Sequence, residues 1–187
     1  MKIQAKATKN YQQKTDCLVV ALKSLKKISS QCAELNSATG GAIARLQETE
    51  QFSAKLGETV NLMVPQGIGA KQLVLLGTGD AKSLDTETVR ETLAGLAKKL
   101  KSLNVNEASF DLDALSGKSD IETVSRHLAE AFGDAEYAYI KAPKAARGAK
   151  AAKDFKATLW CQDRKAMSLA KKAASVGLAI NLSLIHI

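Results

Sequence analysis

Lys71 to Asp80 reads K-Q-L-V-L-L-G-T-G-D, and this stretch decides the fold. Gln72 to Leu76 is a short, almost wholly apolar run that stops on Gly77-Thr78-Gly79-Asp80. A strand with apolar residues on both faces needs cover on both sides, which is the signature of a buried strand in a helix-flanked sheet. Asp85 and Glu87 then open a helix with Val89, Leu93, Leu96, Leu100 and Leu103 on one face and Lys98, Lys99 and Lys101 near its end. Acids at the start and cations at the end suit the helix dipole.

Upstream, Cys17 to Leu22 is a second continuous apolar run, Lys2 to Thr8 alternates with period two, and Thr59 to Val64 is a further strand ending at Pro65. A helical stretch from about Ile28 to Thr49 is broken by Gly40 and Gly41. Downstream, Glu107 to Leu112 is a weaker strand, and Asp120 caps a helix striped by Ile121, Val124, Leu128, Phe132 and Ala135. Phe155 to Cys161 is a sixth strand, and Asp163 begins a last helix carrying Leu169, Ala173, Val176 and Ile180. Strands alternating with helices predict an α/β fold, a mixed sheet of about six strands flanked by helices.

Composition bounds the class. The chain has 187 residues, 45% of them hydrophobic but only 4% aromatic, so the core is expected to be aliphatic. Cys17, Cys32 and Cys161 are odd in number and widely spaced inside apolar segments, which reads as buried free thiols in a reducing, cytoplasmic setting. Met1 leads into Lys2-Ile3-Gln4 without the apolar core of a signal peptide, and no run reaches the ~20 apolar residues that span a bilayer.

The formal charge of +8 gathers late: Lys141, Lys144, Arg147, Lys150, Lys153 and Lys156 recur every third residue against one acid, Asp154. The run reads as a solvated connector, or else as a contact for nucleic-acid phosphates. The turn at Gly77 and Gly79 reads as a plain strand-to-helix turn, or else as a phosphate cradle. A G-x-G-x-x-G fingerprint would need glycine where Lys82 stands. His127 lies to the side of its helix's apolar stripe with no cysteine or second histidine three or four residues on, so a two-histidine metal site is unsupported and it reads as boundary packing. Neither a P-loop, a G-x-S-x-G nor an H-E-x-x-H occurs, and no enzyme chemistry is visible on this chain alone.

The last residues, Gly177 to Ile187, carry no charge and no capping glycine, and are read as the end of an amputated domain. Leu182 to Ile187, L-S-L-I-H-I, is what CTG TCT CTT ATA CAC ATC encodes, a run resembling a transposase sequencing adapter. It is therefore read as a non-native tail, the alternative being a natural strand or helix end.

From end to end, the order of elements resembles the N-terminal domain of leucyl (cytosol) aminopeptidases. The resemblance rests on Asp16 to Leu22 (D-C-L-V-V-A-L), on Gly57 to Val64 leading into Lys71 to Gly79, and on the helix reaching Ala135-Glu136-Tyr137-Ala138-Tyr139. It extends to Ala170 to Ile180, which looks like the family's linking helix. It implies a macro-domain-like N-terminal domain over residues 1–161 and a linking helix over 162–181, ahead of the run at 182–187 already read as a non-native tail. It further implies a homohexameric cytoplasmic parent that acts on peptides through two divalent metals, manganese or zinc, held in a domain absent from this chain. Asp134-Ala135-Glu136 mimics part of the family's N-T-D-A-E-G-R-L signature, but Gly133 and Tyr137 flank it, so no catalytic or metal-binding residue is carried over. Some members double as DNA-binding regulators, which gives the basic run its second reading. The macro-like fold in turn allows a nucleotide at the Gly77 turn.

Overall fold

The computed structural model describes residues 1–7, 11–23, 30–63, 65–79, 84–116, 120–140 and 154–186. Strands β1 (Lys2–Lys6) and β2 (Thr15–Leu22) are followed by helices α1 (Ser30–Ala38) and α2 (Ala42–Glu48) and strands β3 (Thr59–Met63) and β4 (Ala70–Gly77). Then come α3 (Thr86–Ser102), β5 (Glu107–Asp111), the single turn α4 (Leu112–Leu115), α5 (Ile121–Ile140), β6 (Lys156–Trp160) and α6 (Arg164–His186). The strands form one sheet in the order β1-β6-β5-β2-β4-β3, parallel throughout except for β3, which runs antiparallel to β4 at one edge.

The sheet's alternation sorts the core into two layers. Cys17, Val19 and Ala21 of β2 join Val74, Leu76, Phe110 and Leu159 beneath α3, α5 and α6. Leu18, Val20 and Leu22 face the other way, with Leu73 and Leu75, beneath α1 and α2. Both faces of β2 and β4 are buried, as their continuous apolar sequences require. On α3 the buried residues are Val89, Leu93, Leu96, Ala97 and Leu100, each leucine worth about 1.5–3 kcal/mol of burial.

Helix starts follow their caps. Asp85 Oδ1 accepts the Thr88 amide at 2.8 Å, Asp120 Oδ1 the Thr123 amide at 2.7 Å, and Asp163 Oδ1 the Ala166 amide at 2.8 Å. Hydrogen bonds from Thr88 to Asp85 and from Thr123 to Asp120 hold both carboxyls below the usual range, and the Lys71 hydrogen bond does the same for Asp16. A carboxyl whose folded pKa is depressed stabilises the fold above its unfolded value, near ~4, and loses that contribution as pH falls through the folded value. Melting temperature is therefore expected to fall steadily below about pH 4; a flat profile down to pH 3 would contradict these cap geometries.

The last helix corrects the sequence reading. Its predicted stripe was Leu169, Ala173, Val176 and Ile180, but the buried line is Ala170, Ala174, Gly177 and Asn181, while Val176 is 51% exposed. The face that meets α5 is chosen for smallness: a Cβ on Gly177 would stand 2.4 Å from the Arg126 carbonyl oxygen, and one on Gly133 only 1.9 Å from Asn181 Nδ2. Asn181 Nδ2 donates to the Ala129 and Glu130 carbonyls at 3.3 and 2.9 Å, which satisfies the buried amide.

Candidate functional site

In open parallel sheets ligands bind beyond the carboxyl ends of the strands, where neighbouring connections diverge. Here the chain leaving β2 goes towards β4 while that leaving β5 goes towards β6, so the divergence lies between the adjacent strands β2 and β5. The Gly77-Thr78-Gly79 turn, Asp111, α4 and Cys161-Gln162 follow strand ends along this edge.

The turn's amides are already engaged. Gly77 N–H donates to the Glu58 carbonyl (2.7 Å), Thr78 N–H to Leu22 (2.9 Å) and Gly79 N–H to Ala54 (3.0 Å). A phosphate cradle works by aiming such N–H groups at the anion. Here they instead tie the end of β4 to β2 and to residues 54–58. Gly77 has a steric reason for lacking a side chain, since a Cβ would stand 2.0 Å from the Lys55 carbonyl oxygen; Gly79 adopts φ +64°. Residues 80–83 of this turn lie outside the described residues.

The acids of the edge do structural work. Asp111, 1% exposed, accepts the Ala114 amide at 3.2 Å and starts α4, and Asp113 Oδ1 accepts the Gln162 amide at 3.1 Å. Tyr11 packs edge-on against Trp160, 6.0 Å between centroids, and burial, with the charge of Asp111 behind it, pushes its phenol up to about 12. A cavity of ≈20 Å³ between Leu76, Thr78, Leu84, Val89, Leu115 and Val124 has room for about one water, too little for a substrate.

Elsewhere, His127 is buried on α5 with Nδ1 2.7 Å from Glu130 Oε2, and Arg126 Nε donates to the other oxygen of the same carboxylate at 2.8 Å. Burial, with the charge of Glu130, raises the carboxyl of Asp134, the first residue of the signature-like triplet. Among the described residues no group of three or more His, Cys, Asp or Glu side chains converges. The described donors therefore do not fit a two-metal centre. Of the basic run, Lys141, Lys144, Arg147, Lys150 and Lys153 lie outside the described residues. Lys156 opens β6 on the exposed amino edge, in register with Lys2 and Glu107.

The three cysteines are buried free thiols, and desolvation pushes Cys17 up to about 12. Thiolate is the reacting form, so the native protein is expected to react only slowly with a disulfide reagent at pH 8, releasing three equivalents after denaturation. Rapid native titration of Cys17 would place that strand differently.

Residues 18–142 match the model of the cytosol aminopeptidase family, N-terminal domain. A probable cytosol aminopeptidase of Azotobacter vinelandii is 28% identical over 181 residues, 96% of this chain and 36% of that protein. Among solved structures, a mutant of tomato leucine aminopeptidase superposes with TM-score 0.61 at 21% identity, covering 96% of this chain and 36% of its own. A Trypanosoma brucei macrodomain in complex with ADP gives TM-score 0.64 at 11% identity over 91% of this chain and 67% of its own. The fold is thus macro-domain-like. The chain spans between a quarter and about a third of the length of the curated relatives it matches.

Proposed function

Because the chain belongs to the cytosol aminopeptidase family through its N-terminal domain, we propose that it is the non-catalytic part of a leucyl aminopeptidase. The parent would be a cytoplasmic homohexamer that releases N-terminal residues from peptides. The observation carrying this reading is the family match over residues 18–142 in a chain spanning only 36% of its Azotobacter relative. Among the described residues of the strand-end edge, Asp111 and Asp163 start helices and Asp113 holds the Gln162 amide. Two divalent ions, manganese or zinc, would supply a water of lowered pKa and polarise the scissile carbonyl from residues outside this chain. The role left to this domain is assembly and access.

The test compares the 187-residue chain with the product of the complete reading frame, each assayed with manganese and zinc on a leucine amide. Turnover by the complete protein and none by the chain is expected. Metal-dependent turnover by the chain alone, surviving controls for host enzyme, would overturn the division of labour.

The basic run supports a DNA contact as a second role. Six cations on six phosphates would give a log-affinity against log-salt slope of about −5, without sequence discrimination. A nucleotide at the Gly77 turn has less support, since the three amides it would use are bonded within the fold. Calorimetric titration with ADP-ribose tests that reading directly.

A further inference from the structure

The two edges of the sheet are not alike. β1 carries Lys2 and Lys6, the charged residues by which exposed edges resist pairing with another chain. β3 reads T-V-N-L-M, five residues with no charge, no proline and, in its register with β4, no bulge. The nearest acid, Glu58, is turned away. Its carboxylate accepts the Ser53 hydroxyl at 2.8 Å and the Ser53 and Lys55 amides at 3.1 and 3.0 Å. Burial works to raise this carboxyl, yet those bonds together hold it below its usual range, so it stays ionised but already engaged.

The ladder fixes which main-chain groups of β3 are open. Gly77 N–H donates to the Glu58 carbonyl, so in this register Val60 and Leu62 face Leu75 and Leu73 as hydrogen-bonded pairs. The N–H and C=O groups of Thr59, Asn61 and Met63 therefore point outward. Met63 is 65% exposed, and Val60 and Leu62 are only half-buried.

We propose that β3 is an interface for a second copy of this chain, joined antiparallel about a two-fold axis at Asn61 so that two sheets become one. The strand is self-complementary. With Asn61 opposite Asn61 of the second copy, Thr59 falls opposite Met63 and every outward group meets an outward group, giving about six main-chain hydrogen bonds. Val60 then lies against Leu62 of the other copy on one face, and Met63 against Thr59 on the other, covering the side chains that this edge leaves exposed. The absence of charge on β3 removes the repulsion that Lys2 and Lys6 would impose on a β1 pair. The inference rests on the geometry of the edge alone, whichever reading of the parent protein holds.

The test is sedimentation equilibrium of the 187-residue chain from about 5 to 300 μM, since a strand-sized contact belongs with the weaker interfaces. A monomer–dimer equilibrium is expected, with exchange of the Asn61 amide slowing as concentration rises. Met63→Lys puts a charged side chain where the pair would cover an apolar one, the device by which exposed edges resist pairing, and is expected to weaken it at least tenfold. Asn61→Pro removes an outward N–H while leaving the β3–β4 ladder its bonds, and is expected to do the same. A circular-dichroism melt confirms that each variant is folded, and Met63→Lys alters only an exposed side chain should the proline variant fail. A monomer at every concentration, a dimer indifferent to Met63→Lys, or open-ended polymers in place of dimers would each overturn the proposal.

Discussion

Replacing Gly77 with alanine is expected to destabilise the domain by about 3 kcal/mol or more, with no ligand present. Overpacking in a well-filled site costs about 1–3 kcal/mol when side chains can adjust. Here the added methyl would meet backbone on the neighbouring segment: the Lys55 carbonyl oxygen at 2.0 Å and the Ala54 carbonyl carbon at 2.6 Å. Relieving that overlap means moving residues 54–58, which breaks the Gly77 to Glu58 and Gly57 to Gly77 hydrogen bonds, 2.7 and 2.9 Å. Gly79→Ala is the comparison. Its φ of +64° costs about 1–2 kcal/mol, and its nearest neighbour, the Leu56 amide nitrogen, is 3.4 Å away, so the loss should be smaller. The measurement is the denaturant midpoint at unchanged slope. If Gly77→Ala lost less than about 1 kcal/mol, the steric account of this glycine would be wrong, and a ligand role would regain ground.

Gly177→Leu is expected to cost about 3 kcal/mol, whereas Gly95→Leu should leave stability unchanged or raise it by up to about 1 kcal/mol. Leucine is a good helix former, so the same substitution in two helices separates propensity from packing. Gly95 is exposed on α3 and a Cβ there meets nothing within 4 Å. Gly177 lies in the α5–α6 seam, where even a Cβ would stand 2.4 Å from the Arg126 carbonyl oxygen and 2.9 Å from the Ala129 methyl. A leucine therefore has to lever α6 away and strand the Asn181 amide that now bonds to Ala129 and Glu130. Equal effects at the two sites, read from urea midpoints, would show that the seam is not packed as described.

Much of the architecture was legible because local rules and tertiary placement agree. The two continuous apolar runs became β2 and β4, buried on both faces; Asp85, Asp120 and Asp163 became caps; and Gly40-Gly41 separated α1 from α2. The family was legible from the order of these pieces, since each is too common alone to identify anything. The one-turn helix α4 was missed, because its signal is a single aspartate, Asp111, accepting one amide across four residues. The stripe on α6 was placed one residue off: periodicity favours the largest apolar side chains, whereas a close helix crossing selects the smallest.

The sequence by itself determined the six strands and every helix but α4, where most helices start, and which family the chain joins, because these depend on residues near one another along the chain. Only the tertiary structure decided which strands are neighbours, that β3 is an antiparallel edge with open main-chain groups, and that the amides of Gly77, Thr78 and Gly79 are already bonded. Each of these depends on groups brought together from distant parts of the chain. A glycine reads the same in a sequence whether it makes room for an anion or for the carbonyl of Lys55, and only the position of that carbonyl tells them apart.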